Sequence, residues 1–136
     1  MSNKKPIGIA LIAIYSAFSG ILFLLTGAVM LLASAVPDMP VWMTIIGMLI
    51  IVFGVFSLAA VYGLWSIQAW GVKITKWLYI IAIPLGIISI FPVYPDSEMT
   101  VANTVLQIFG ISISAIIIWY ISKESIRELY LSQNNA

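Results

Sequence analysis

The sequence predicts an all-α integral membrane four-helix bundle, and three observations carry that expectation. Charged residues make up 8% of the chain and hydrophobic ones 62%, whereas an ordinary soluble domain is about 25% charged, so a soluble fold would have little to cover its surface. Residues 6–37, 39–72, 77–95 and 99–122 carry no Asp, Glu, Lys or Arg, giving runs of 32, 34, 19 and 24 residues. Crossing the hydrocarbon layer takes about 20 apolar residues, so the four runs are spanning candidates, the third only just. Finally, all six bases (Lys4, Lys5, Lys73, Lys76, Lys123 and Arg127) fall in the N-terminal, central and C-terminal segments, which share one side after four crossings. Asp38, Asp96 and Glu98 fall in the other two loops, which hold no base. The positive-inside bias then predicts up-down-up-down topology in the cell membrane with both termini cytoplasmic.

The elements follow in order as one membrane domain over residues 1–136. Lys4 and Lys5 precede Pro6, a residue suited to the start of a helix, and the first spanning helix is expected over 7–33. Its apolar stretch far exceeds the roughly 7 to 15 residues of a signal-peptide core, so Ala33-Ser34-Ala35 is read as helix end and not as a cleavage site. Ala13, Ser16, Ala17, Gly20 and Gly27 gather on one face that lets another backbone approach closely. Val36-Pro37-Asp38-Met39-Pro40 is a loop, because two prolines and an acid break the helix. Trp42 then marks the interface, and the second helix is expected over 42–66, with Gly47 and Gly54 two turns apart on one face.

The centre of the chain reads Tyr62-Gly63-Leu64-Trp65-Ser66-Ile67-Gln68-Ala69-Trp70-Gly71-Val72-Lys73. Amphipathic Trp rings, a Gly at which a helix can stop and then basic residues suit a turn at a membrane surface. The third helix is expected over 73–92, with Lys73 and Lys76 lying along its apolar surface while their ammonium groups reach water. Within it Pro84 cannot donate to the carbonyl of Ile80 and Gly86 follows, so a kink is expected. It reads either as a hinge or as a packing bend.

Phe91-Pro92-Val93-Tyr94-Pro95-Asp96-Ser97-Glu98 is the second loop. The fourth spanning helix is expected over 100–122, and on it Asn103, Gln107, Gly110 and Ser114 form one narrow polar line. That line is either interhelical glue or the wall of a polar pathway. A short amphipathic helix over 123–131 follows, with Ile126, Leu129 and Tyr130 on one side, to lie along the membrane surface or against the loop. Trp65, Trp70, Trp77 and Trp119 anchor the cytoplasmic interface and Trp42 the outer one.

The Tyr-Gly-Leu-Trp segment at 62–65 with Trp70-Gly71, followed by bases and another spanning helix, resembles several uncharacterised small four-helix membrane protein families of bacteria and archaea. The resemblance implies the four-helix topology and no activity.

The chain has no Cys and no His. That removes disulfides, thiol nucleophiles, the usual zinc ligand sets and the side chain most used for proton transfer near neutral pH. No metal or cofactor is implied, and a net charge of +1 gives no footprint for nucleic acid. Small multidrug-resistance transporters share this length and helix count but depend on a membrane-embedded carboxylate in the first helix, where this chain has Tyr15 among small and aliphatic residues. Small fluoride channels share only the size. Small residues four apart, such as Ala13 with Ala17, Ser16 with Gly20, Ala59 with Gly63 and Gly110 with Ser114, fit packing within the chain and dimerisation equally well. The expected role is a non-catalytic membrane protein, a homo-oligomer or a small subunit of a membrane complex, with the lipid bilayer as its surroundings. A small channel beside the fourth helix is the alternative, and a lipid-modifying enzyme, for which only Asp96, Glu98 and hydroxyls could serve, a distant third.

Overall fold

The computed structural model describes residues 4–91 and 98–135, and five α-helices account for nearly all of the described backbone. They are α1 (Ile7–Ala33), α2 (Val41–Trp65), α3 (Ala69–Ile90), α4 (Val101–Ile121) and α5 (Glu124–Asn134). Each of α1 to α4 is long and apolar enough to cross a membrane. No strand occurs among the described residues. The second loop foreseen in the sequence lies largely outside them, at residues 92–97. The chain divides into two compact units, residues 1–74 and 75–136.

In the first unit, Pro6 and Pro40 precede α1 and α2 with extended ψ values of 136° each, and their carbonyls accept the first helical N–H groups. Proline suits these places because its fixed φ is already helical and its missing N–H would have no partner there. The helices pack through glycine at two levels. A methyl built on Gly20 would stand 3.2 Å from the carbonyl oxygen of Gly54, and one on Gly27 would stand 2.8 Å from that of Gly47. The residue numbers sum to 74 at both levels, so α1 and α2 run antiparallel with their backbones nearly touching. Around these levels α1 buries Ile9, Ile12, Ala13 and Ser16, and α2 buries Ser57, Ala60, Gly63 and Leu64. Phe23 and Phe53 meet edge-to-face at 5.4 Å between centroids, a favoured aromatic geometry. The small-residue face read on α1 is thus covered by the chain's own α2. Ile14, Phe18, Leu25 and Val29 of α1 point outward, as lipid-facing residues would.

No glycine among the described residues has positive φ; the turns use other residues. Asp38 in the first loop has φ 70°, and Ile67 between α2 and α3 has φ 54°. The expectation that a Gly stops the second helix is therefore corrected. Gly63 lies inside α2 and Gly71 inside α3, while α2 ends in a paired-bond cap centred on Ile67. The N–H of Gln68 donates to Gly63 O at 2.8 Å and that of Ile67 to Leu64 O at 3.3 Å, the 6→1 and 5→2 bonds of a Schellman motif. A β-branched residue in this region is a conformational outlier. Ile67 is also buried, so packing of its side chain offsets the backbone cost.

The helix after this turn starts at Ala69 instead of 73 and ends at Ile90, so Lys73 and Lys76 sit in its first two turns. In the second unit, Thr100 caps α4 by accepting the N–H of Asn103 at 3.2 Å. One face of α4 buries Ser114, Ile117 and Ile121. α5 begins at Glu124 and runs to Asn134, longer at its end than the periodicity suggested. Its residues Ile126 and Tyr130 are 4% and 2% exposed, so this side is covered by protein. Burial, and then the nearby Tyr120, push the Tyr130 phenol up to about 12.

Candidate functional site

Two places gather the residues singled out in the sequence. The first is the polar line of α4, in the second unit. Asn103 donates from Nδ2 to the carbonyl of Ser89 at 2.8 Å. Ser89 stands in the last turn of α3, where a carbonyl has no N–H four residues on within the helix, so Asn103 satisfies an orphan acceptor at the helix end. Gln107 donates from Nε2 to Asn103 Oδ1 at 3.4 Å, a long bond that steadies the amide next to it. The Ser114 hydroxyl donates to Gly110 O at 2.8 Å, one turn back on its own helix. Ser112 and Thr104 bond back in the same way, to Ile108 O and Thr100 O. Asn103 and Gln107 are thus joined to each other and to α3, whereas Ser114 is buried apart from them and Gly110 borders open space.

Pro84 lies inside α3, which remains helical through it. A methyl on Gly86 would stand 3.0 Å from Cγ1 of Ile111 and 3.7 Å from Oε1 of Gln107. The missing side chain at Gly86 therefore seats α4 against α3, next to the amide pair.

The second place is the turn between α2 and α3, in the first unit. A methyl on Gly63 would lie 2.5 Å from the Cα of Gly71, so α2 and α3 cross with their backbones in contact. This crossing brings Tyr62 onto Trp70 in a stacked pair, 6.4 Å between centroids and 30° between planes. Lys5, just before α1, lies with its Nζ 4.1 Å over the ring of Trp65, a cation–π contact. In the second unit Lys123 makes the equivalent contact with Trp119 at 4.0 Å and stands 5.6 Å from the Tyr120 ring. Trp42, Trp65, Trp70, Trp77 and Trp119 are all exposed, the position an interfacial anchor needs. The sequence carried the aromatic residues of this turn but not the pairing of Lys5 with Trp65. The signal available was that position 5 precedes α1 while 65 ends α2, neighbouring ends once the helices are known to be antiparallel.

Among the described residues no group of three or more His, Cys, Asp or Glu could hold a metal ion, and no buried side-chain nitrogen or oxygen lacks a hydrogen-bond partner. The chain matches no protein-family model, no curated protein and no solved structure. Fold and composition together define an all-α chain with four helices of membrane-crossing length.

Proposed function

We propose that this chain is a non-catalytic integral membrane protein of the cell membrane, working as a homo-oligomer or as a small subunit of a membrane complex. Its helices would span up-down-up-down with both termini and the α2–α3 turn in the cytoplasm. The observation that supports assembly over transport is the Asn103 amide, which bonds to the α3 backbone while Gln107 bonds to Asn103 and Ser114 to its own helix, as glue does.

Replacement of Asn103 by Leu tests this. As glue, Asn103→Leu leaves the Ser89 carbonyl without its donor and lowers stability by about 0.5 to 2 kcal/mol, read as a shifted midpoint in detergent unfolding. Ion and solute flux in proteoliposomes stays at the level of empty vesicles with both proteins. An unchanged midpoint, with wild-type flux that Asn103→Leu abolishes, would replace the assembly reading by the channel.

Topology has its own test. Single Cys substitutions at Ser34, Ser66 and Ser132, in a chain that has no native Cys, are probed with an impermeant thiol reagent. In intact cells Ser34→Cys is expected to react, while Ser66→Cys and Ser132→Cys react only after the membrane is opened. Reaction of Ser66→Cys in intact cells reverses the orientation.

A further inference from the structure

We infer that the α2–α3 turn of the first unit binds the headgroup of an anionic phospholipid, with Lys73 on the phosphate and the stacked Tyr62–Trp70 pair against the glycerol backbone and upper acyl chain. The inference rests on the membrane reading proposed above. The stacked rings are open to the surroundings, Tyr62 being 68% and Trp70 40% exposed, and they are held in register by the Gly63–Gly71 backbone contact. They form a preformed amphipathic platform, of the kind that settles at headgroup level.

Lys73 is exposed and lies three residues after Trp70 on α3, one helical turn further along the same side. A lysine one turn inside the Trp level extends its stem back toward the surface, which puts the ammonium near the lipid phosphate plane. Charge at this end of the unit is one-sided. Lys4, Lys5 and Lys73 lie here, and the unit's single acid, Asp38, lies beyond the far end of α1, a helix of 27 residues and so about 40 Å long. No carboxylate of the unit can neutralise Lys73. Lys5, by contrast, already rests on the face of Trp65. An anionic lipid brings an uncompensated phosphate to Lys73, whereas phosphatidylcholine brings its own quaternary ammonium, which the three lysines repel. Exposed apolar residues further along α2, among them Val52, Val55 and Phe56, favour a lipid over a soluble phosphate.

The test equilibrates the full chain in detergent with equal amounts of phosphatidylglycerol and phosphatidylcholine of matched chains, and reads the ratio of retained lipids by native mass spectrometry. Phosphatidylglycerol is expected to dominate. Lys73→Gln should cut the preference about fivefold, the factor equivalent to about 1 kcal/mol for one basic residue at a membrane surface. Lys73→Arg should retain it, since the charge and reach remain. Equal retention of the two lipids, or a ratio that Lys73→Gln leaves unchanged, overturns the inference. Displacement of the lipid by excess sn-glycerol 3-phosphate would overturn it in favour of a soluble phosphate ligand. The Ser66→Cys labelling is unaffected by any of these results, so a failed lipid preference with the labelling pattern intact refutes the site alone.

Discussion

Gly71→Ala is expected to be among the most destabilising single-methyl changes in the chain, with Gly63→Ala close behind. A Cβ at Gly71 would fall on the carbonyl carbon and Cα of Gly63 and 2.7 Å from the backbone nitrogen of Leu64. Backbone cannot rotate away as a side chain can, so the α2–α3 crossing has to open. Overpacking of this kind costs typically about 1 to 3 kcal/mol and sometimes more. Alanine returns up to about 1 kcal/mol of helix propensity. A net loss of about 1 to 2 kcal/mol is therefore expected for so close a backbone clash, measured as a lowered unfolding midpoint in detergent. The same opening pulls Trp70 away from Tyr62, so Trp fluorescence of the folded variant should shift as well. Gly71→Ala combined with Gly63→Ala should cost less than the sum, because one widening of the crossing serves both methyls. A stable Gly71→Ala with unchanged fluorescence would mean that the two backbones do not touch.

How much of this was legible in the sequence depends on what each residue does. Composition and charge gave the four long helices, and their ends fell within one or two residues where proline or aromatic residues mark the boundary, as at Pro6, Pro40 and Trp65. The expected start of the third helix at 73 falls four residues after its observed start at Ala69. A lysine tolerates a helix position inside an apolar stretch when its stem can lie along the surface. A Gly near the end of the second helix reads as a place for it to stop, since glycine most often supplies positive φ there, yet Gly63 and Gly71 both lie inside helices. They are used for space instead, and Ile67 takes the positive φ because its side chain is buried and the Gln68 and Ile67 N–H groups close the cap.

The small-residue face of α1 was legible, but its partner was not, since spacing four apart serves contacts within a chain and between chains alike. A sharper signal was present: Gly20 and Gly27 are seven apart, as are Gly47 and Gly54, and equal spacing on consecutive helices is what two matched antiparallel levels require. In α4 the sequence put Asn103, Gln107, Gly110 and Ser114 on one line. It could not separate the two amides, which reach α3 or each other, from Ser114, whose hydroxyl returns to its own helix. The amphipathic side of α5 was visible too, yet amphipathicity does not distinguish a lipid surface from a protein one.

That distinction between glycines in contact and glycines in the open yields an effect of opposite sign at two positions. At Gly27 an added methyl would meet Ile51 Cγ1 at 2.6 Å, Gly47 O at 2.8 Å and the Ile51 nitrogen at 3.1 Å. The Ile51 side chain can turn away, but the Gly47 carbonyl and the Ile51 nitrogen belong to the α2 backbone. Gly27→Ala should therefore lose about 1 to 3 kcal/mol through the forced separation of α1 and α2, less the propensity gain. At Gly110 nothing lies within 4 Å of the added methyl, and only the propensity term remains. Gly110→Ala should raise stability by up to about 1 kcal/mol. Both are read from unfolding midpoints of the same preparation in the same detergent, so differences in micelle cancel. If α4 packs through Gly110 against a second copy of the chain, Gly110→Ala would instead weaken the oligomer, with a loss that grows on dilution. A dilution-independent gain at Gly110 beside a loss at Gly27 would place the close backbone packing in the α1–α2 hairpin and leave the open side of Gly110 to lipid.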